Sequence, residues 1–161
     1  MLTQEDTDKK LRNSVDQKIR DFFSLYEKRF NEGLDGKTDL ETAEEFADCF
    51  IAADPHGVRC YRNGAGLMQS IPTEYEFYKN IGITSVKIVS QNITPVDDNH
   101  FMIRIHWVSM YKSKKMNEAE DQIEFDVIYL LQYVREQLKI FAYITGDEQA
   151  ILKEKGLISE K

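Results

Sequence analysis

Four strand-like segments in the second half of the chain constrain the fold more than any other feature. They cover residues 84–94, 100–112, 122–134 and 138–145. All four are rich in Val, Ile, Tyr, Phe and Thr, the residue types that favour extended strands. The polar stretches that join them, residues 97–99, 112–121 and 135–137, are short. Such connections favour an antiparallel meander, because parallel neighbours need a long crossover.

The residues before this region have the periodicity of helices. A first helix is predicted to begin with Ser14 as its N-cap and Gln17 as its capping-box partner, and to end at Gly33. Residues 1–13 are polar without a sustained period and are predicted to form an N-terminal tail, either irregular or partly helical. The apolar residues recur at the spacing of one helix face: Val15, Ile19, Phe22, Phe23, Tyr26 and Phe30.

Three further helices are predicted. The second follows a capping box at residues 38–41 and continues to Phe50; the third opens at Pro72 and ends near Gly82. The last is short and capped by Asp147. Residues 50–52 and 58–61 are predicted to form short strands or turns. The second helix would point Leu40, Ala43, Phe46, Ala47 and Phe50 inward.

The order of these elements indicates the fold class. Helices come first, a run of strands follows, and a short helix ends the chain, which is typical of an α+β protein. The helices would pack on one face of the antiparallel sheet. A length of 161 residues without an internal repeat suits one domain. We expect that domain to span residues 14–161.

The composition argues against several classes of protein. The chain has 28 acidic and 21 basic residues and a net charge of −7. Nucleic-acid binding is not expected, because phosphate affinity comes from clustered Lys and Arg. No segment approaches the ~18–20 apolar residues of a membrane span, and the first residues lack the apolar run of a signal peptide. We expect a cytoplasmic protein with free thiols at Cys49 and Cys60.

Alternation along the strands separates a helix-facing side from an outer side. The odd positions from Phe101 to Tyr111 are the more apolar and are predicted to meet the helices. The outer side still carries apolar residues that no helix covers, which predicts a homodimer through this face. The alternative is a monomer with scattered apolar surface residues. The predicted dimer face contains Met102, Arg104, His106, Val108, Met110, Ile128, Leu130, Phe141 and Tyr143.

Three stretches of the chain resemble a known superfamily. They are IRDFFSLYEKRF in the first helix, the strand pair ITPVDDNHFMIRIHWVSMY, and FDVIYLLQY followed by LKIFAYITGDEQAILKEKGLI. Over roughly residues 15–158 the chain is similar to the nuclear-transport-factor-2-like superfamily, and within it to the SnoaL-like small bacterial proteins. The resemblance implies a cone-shaped, cystatin-like α+β fold with a curved antiparallel sheet wrapped around helices. It does not imply one activity, because the superfamily includes isomerases, dehydratases, cyclases, hydrolases and transport adaptors.

The resemblance also implies a pocket between the concave sheet face and the helices. Such a lining would be mostly apolar, with tyrosine hydroxyls and an indole N–H as polar groups, and would suit a flat or apolar small molecule. The alternative is that the aromatic side chains fill the core completely. The implied lining consists of Phe22, Tyr26, Phe30, Phe46, Met68, Tyr75, Tyr78, Ile105, Trp107, Tyr111, Phe125, Val127, Tyr129 and Ile144.

Asp54 and His56 are the candidate catalytic residues. Enzymes of the resembling superfamily place an Asp, a His or both in the cone, and these two could serve as base and acid. The alternative is a purely structural turn, which Asp-Pro commonly starts. His56, His100 and His106 have no metal-ligand spacing, and no cofactor motif is present. We therefore expect neither a metal nor a cofactor.

Three functions stay open at this point. The leading interpretation is a small-molecule-binding protein with an aromatic pocket, which predicts a cavity without a buried ionisable group. The second is a cofactor-independent isomerase, dehydratase or hydrolase, which predicts that Asp54 or His56 points into an open pocket. The third is a protein–protein adaptor, which predicts a filled cone.

Overall fold

The described part of the chain folds into three α-helices, one 3₁₀ helix and six strands. The computed structural model describes residues 1–37, 40–113, 117 and 119–159, and residues 40–42 without their side chains. The α+β class is confirmed, and the four predicted strands lie within two residues of their expected bounds. The elements are α1 (Gln4–Leu34), the 3₁₀ helix (Leu40–Glu45), β1 (Phe46–Asp54), β2 (Gly57–Arg62), α2 (Ala65–Asn80), β3 (Ile83–Pro95), β4 (His100–Lys112), β5 (Glu120–Val134), β6 (Gln137–Thr145) and α3 (Glu148–Glu154).

The strands form one curved, unclosed sheet in the order β2-β1-β6-β5-β4-β3. The expected antiparallel meander holds from β3 to β6. The hairpin of β1 and β2 extends the sheet beside β6, and β1 pairs with β6 in parallel. Register shifts interrupt the ladders of β3 and β6. Bulges of this kind bend a sheet and let it curve around helices.

The central strands bury the side predicted from alternation. Ile103 pairs with Tyr129 and Trp107 pairs with Phe125, so β4 and β5 present one continuous apolar face to the helices. Arg135 and Glu136 make the tight turn between β5 and β6 with φ values of 55° and 61°. Positive φ at both central residues matches the twist of a hairpin.

A bulge in β6 reverses the faces predicted for its second half. Consecutive residues of β5 pair with Ile140 and Ala142, so the ladder skips Phe141. Tyr143 consequently turns toward the helices, with its ring centroid 6.5 Å from that of Tyr129. The prediction that Tyr143 belongs to the outer face is wrong, because one extra residue changes the parity of a strand.

The first half of the chain departs most from prediction. Residues 46–54 are strand β1, although a helix was expected to continue to Phe50, and the predicted cap at Thr38 lies outside the described residues. Helix α2 begins at Ala65, so Pro72 lies inside it. Helix α1 begins at Gln4 behind a capping box at Thr3, and the expected tail is largely an exposed extension of this helix.

Helix α1 is attached to the sheet by apolar packing and by polar side chains. Ile19 and Phe23 are fully buried against the concave face. Asn31 Nδ2 donates to the carbonyl of Val86 at 2.9 Å, and Asn31 Oδ1 accepts from its N–H at 2.8 Å. Glu27 accepts from the N–H of Ile88 at 3.2 Å. These bonds satisfy the free backbone groups of edge strand β3.

Gly33, near the end of α1, lies against a tyrosine ring. A Cβ at this position would lie 2.5 Å from Cε2 of Tyr75, whose ring is buried and packs edge-on against Phe30. We expect Gly33→Ala to lower the free energy of unfolding by about 1–3 kcal/mol through overpacking, as measured by urea denaturation. Gly66→Ala in α2, where a Cβ meets open space, is the control and should leave stability unchanged or slightly raised. Equal stabilities of the two variants would contradict the close contact.

Candidate functional site

A cavity of about 540 Å³ lies between the concave face of the sheet and the helices. Its walls come from α1, α2, α3 and strands β1, β3, β4, β5 and β6. This volume lies within the roughly 300–1,000 Å³ of small-molecule sites. Ten of the described aromatic side chains line it: Tyr26, Phe30, Phe46, Phe50, Tyr75, Tyr78, Trp107, Phe125, Tyr129 and Tyr143.

The structure places four of the expected lining residues elsewhere. Phe22 lines a separate cavity of about 250 Å³ beside β6, because it lies on the flank of α1. Met68 points outward from α2 and is 40% exposed, and Ile105 and Tyr111 are packed into the solid core. The other expected residues line the large cavity: Tyr26, Phe30, Phe46, Tyr75, Tyr78, Trp107, Phe125, Val127, Tyr129 and Ile144.

Three hydrogen-bonding groups meet in one part of this lining. The indole N–H of Trp107 donates to the hydroxyl of Tyr129 at 3.2 Å, and the hydroxyl of Tyr26 also interacts with that of Tyr129. Burial raises the pKa of Tyr26 and of Tyr129 well above the ordinary phenol value. Both side chains are therefore neutral groups that can donate or accept hydrogen bonds.

Two glutamates bring carboxyl groups into the lining. Glu74 lies one helical turn before Tyr78 on α2, and Glu148 opens α3. The side chain of Tyr78 lines the cavity with both glutamates and interacts with both carboxyl groups. Burial raises the pKa of both glutamates, and the charge of Glu148 raises that of Glu74 further. The lining therefore contains two ionisable carboxyl groups, which the leading interpretation of the sequence did not include.

Glu74 is accessible to solvent and also lines the cavity. Burial among the neighbouring lining residues raises the pKa of its carboxyl group. The carboxyl group is therefore reachable by a ligand and partly desolvated.

Sequence analysis missed both glutamates because their positions have ordinary structural explanations. Glu74 follows Pro72, where a helix was expected to begin, and Glu148 follows the capping residue Asp147. Acidic residues are common in the first turn of a helix, where they interact with its dipole. The i, i+4 spacing of Glu74 and Tyr78 was the available signal, but only the true start of α2 shows that Glu74 is in mid-helix.

Asp54 and His56 lie in the β1–β2 turn and do not line the cavity. Asp54 Oδ1 accepts from the backbone N–H of His56 at 2.8 Å, which is the contact of a turn. His56 Nε2 lies 3.3 Å from Asp147 Oδ2, and both side chains are exposed. Their nearest link to the cavity is through Asp147, the neighbour of Glu148. A catalytic role for this pair stays a prediction.

A charged cluster occupies the centre of the outer sheet face. Arg104 Nη1 donates to Asp126 Oδ2 at 3.2 Å, and His106 Nδ1 lies 2.6 Å from Asp126 Oδ1. His106 Nε2 is 3.7 Å from a carboxylate oxygen of Glu124. The hydrogen bond to Asp126 raises the pKa of His106, and the same bond lowers that of Asp126. The cavity reaches Arg104 and Asp126 beside the end of β6.

The apolar members of the outer face surround this cluster and are partly exposed. Met102 is 37% exposed, and the other members are intermediate. No described helix covers them, so the homodimer through this face stays a prediction. These members are Met102, Val108, Met110, Ile128, Leu130 and Phe141.

Neither a membrane-spanning helix nor a metal-binding cluster occurs among the described residues. No helix there is long and apolar enough to cross a membrane. No group of three or more His, Cys, Asp and Glu side chains in these ranges is placed to hold a metal ion.

Structural comparisons identify the same architecture in several solved proteins. An NTF2-like protein with a cystatin-like fold from Novosphingobium aromaticivorans matches with a TM-score of 0.68, 13% identity and 99% coverage of both chains. Aln2 from a Streptomyces species matches with a TM-score of 0.61, 12% identity and coverage of 88% of this chain and 96% of that one. An NTF-2 like protein of unknown function from Shewanella oneidensis matches with a TM-score of 0.59 and 13% identity. The match covers 83% of this chain and 99% of that one. At these identities the likeness shows the fold alone.

Comparison of the sequence with known families is more specific. No curated protein matches the chain. One family model, described as NTF2-like protein (DUF6841), matches residues 16–148, from within helix α1 to the start of α3. That match includes all six strands and most of the cavity lining. The chain therefore belongs to the NTF2-like family DUF6841.

Proposed function

We propose that this protein binds a small molecule in the aromatic cavity. The observation that carries the proposal is the combination of a volume of about 540 Å³ with a lining of ten aromatic side chains. An adaptor with a filled cone has less support, because this cone has space inside it. The proposal stops at binding, since Asp54 and His56 do not line the cavity.

The lining supports a flat, largely apolar ligand. Its aromatic faces can stack against a ring system, and the hydroxyls of Tyr26 and Tyr129 can orient one polar substituent. The volume accommodates a ligand of two or three fused rings rather than a metabolite of a few atoms. A mostly apolar site with few polar groups is the usual composition of a small-molecule pocket.

Fluorescence titration with N-phenyl-1-naphthylamine tests this proposal. The probe is neutral and becomes brighter in apolar surroundings. We expect saturable enhancement by the full chain with a dissociation constant in the micromolar range, on the order of that for a buried two-ring ligand. Thr145→Trp should weaken binding at least tenfold, because Thr145 lines the cavity and a larger side chain there occupies its space.

Val89→Trp is the matched control. Val89 is 56% exposed on β3 and does not line the cavity, so the same enlargement should leave probe binding unchanged. Urea denaturation of both variants separates a filled cavity from a lost fold. Absence of saturable enhancement, or equal binding by folded Thr145→Trp, would contradict the proposed function.

A further inference from the structure

We infer that the cavity selects aromatic ligands that carry a protonated amine, and that Glu74 and Glu148 together bind the ammonium group. The inference rests on the proposed function and names the chemical class of the ligand for that same cavity. Three independent features of the lining support it: the convergence of two carboxyl groups, the charge balance, and the aromatic walls.

The two carboxyl groups come from different elements and meet at one hydroxyl. Glu74 and Tyr78 share a face of α2 because they are four residues apart, and Glu148 approaches from the first turn of α3. Tyr78 lines the cavity beside both glutamates and interacts with each. A group between the two glutamates could therefore be bound by two carboxylates and oriented by a phenol.

The described lining has more negative than positive charge. Its one cationic side chain is that of Arg104, which lies on the outer sheet face and is bonded to Asp126 at 3.2 Å. Glu74 and Glu148 have no such partner among the lining cations. The charge of Glu148 disfavours the ionised form of Glu74, and burial disfavours the ionised form of both. One ammonium group placed between them would offset one of the two negative charges and reduce the repulsion between the carboxylates.

The aromatic walls suit a cation as well as a ring. Tyr75, Tyr78 and Tyr143 line the same cavity as the glutamates, and the faces of aromatic rings attract ammonium groups. Burial raises the pKa of Tyr143 to about 12, so this phenol stays neutral at physiological pH. A carboxylate ligand would instead meet two like charges, and an alcohol would leave the repulsion between them in place.

Isothermal titration calorimetry with three naphthalene derivatives tests the charge preference. The probes are 1-naphthylmethylamine, 1-naphthalenemethanol and 1-naphthoic acid, which share a ring system and differ in charge at pH 7. We expect the full chain to bind the amine at least tenfold more tightly than the alcohol, and the acid most weakly. An interfacial charge pair that is partly desolvated is large enough to give such a difference.

Substitution of each glutamate identifies the residues responsible. Glu74→Gln and Glu148→Gln keep side-chain size and remove one charge, so the preference for the amine over the alcohol should fall to less than threefold. Alcohol binding should persist in both. Glu76→Gln is the control, because Glu76 is exposed on the same helix and does not line the cavity; it should keep the full preference.

The outcomes separate the inference from the proposed function. Equal binding of amine and alcohol, or tighter binding of the acid, would overturn the inference and leave a ligand-binding cavity. A preference that survives both glutamine variants would also overturn it, since the charge would then lie elsewhere. If neither the naphthalenes nor N-phenyl-1-naphthylamine binds, the proposed function fails and the inference fails with it.

Discussion

Phe23→Ala is expected to destabilise the protein by about 3–5 kcal/mol, a large part of the usual stability of a domain. Phe23 is fully buried, and its ring lies 4.9 Å from Tyr129 and 5.1 Å from Phe22, centroid to centroid. Removal of the ring leaves a void between α1 and β5, because the surrounding side chains relax only partly. The measurement is the free energy of unfolding from urea denaturation.

Two further variants keep this prediction testable. Leu25 lies two residues away on the same helix and is 42% exposed. Leu25→Ala should therefore lower the free energy of unfolding by less than about 1 kcal/mol. If Phe23→Ala does not fold, Phe23→Leu should still show an intermediate loss. Similar losses for Phe23→Leu and Leu25→Ala would contradict the placement of Phe23 in the central core.

Arg29→Met is expected to cost about 3–5 kcal/mol, because it leaves a buried carboxylate without its cation. Arg29 Nη1 and Glu45 Oε1 are 2.9 Å apart, and the side chains are only 12% and 4% exposed. Lys28→Met is the matched control: Lys28 pairs with Glu32 at 3.9 Å on the surface, where an ion pair contributes little. Urea denaturation at pH 7 gives both values.

The double variant Arg29→Met, Glu45→Leu distinguishes a lost ion pair from lost packing. It removes both charges, so it should recover most of the stability that the single variant loses. Equal effects of Arg29→Met and Lys28→Met, or no recovery in the double variant, would contradict a buried ion pair.

Local periodicity was enough to predict the four long strands and most of the first helix. Phe101 to Tyr111 alternate with polar or smaller residues in a long segment, and Ile19, Phe23, Tyr26 and Phe30 recur at helical spacing. These patterns are unambiguous because one face of each element is buried against a single partner layer. The resemblance to the superfamily, rather than the periodicity, implied the aromatic lining that includes Tyr26, Trp107 and Tyr129.

Prediction failed where a segment's conformation depends on distant partners. The spacing of Ala43, Phe46 and Phe50 is compatible with a helix, yet residues 46–54 are strand β1 because β2 and β6 pair with it on both sides. Backbone pairing along this nine-residue strand outweighs the weak helical preference of a short segment. The residues of this segment alone do not indicate that β2 and β6 will pair with it.

The sequence by itself determined the α+β class, the four long strands and the inward side of β4 and β5, because these follow from the order and burial pattern of neighbouring residues. Only the tertiary structure decided the features that make the cavity a site. The bulge at Phe141 turns Tyr143 inward, and α2 and α3 bring Glu74 and Glu148 to the same hydroxyl across more than seventy residues of chain. Such convergence arises from packing between elements, which no local pattern encodes.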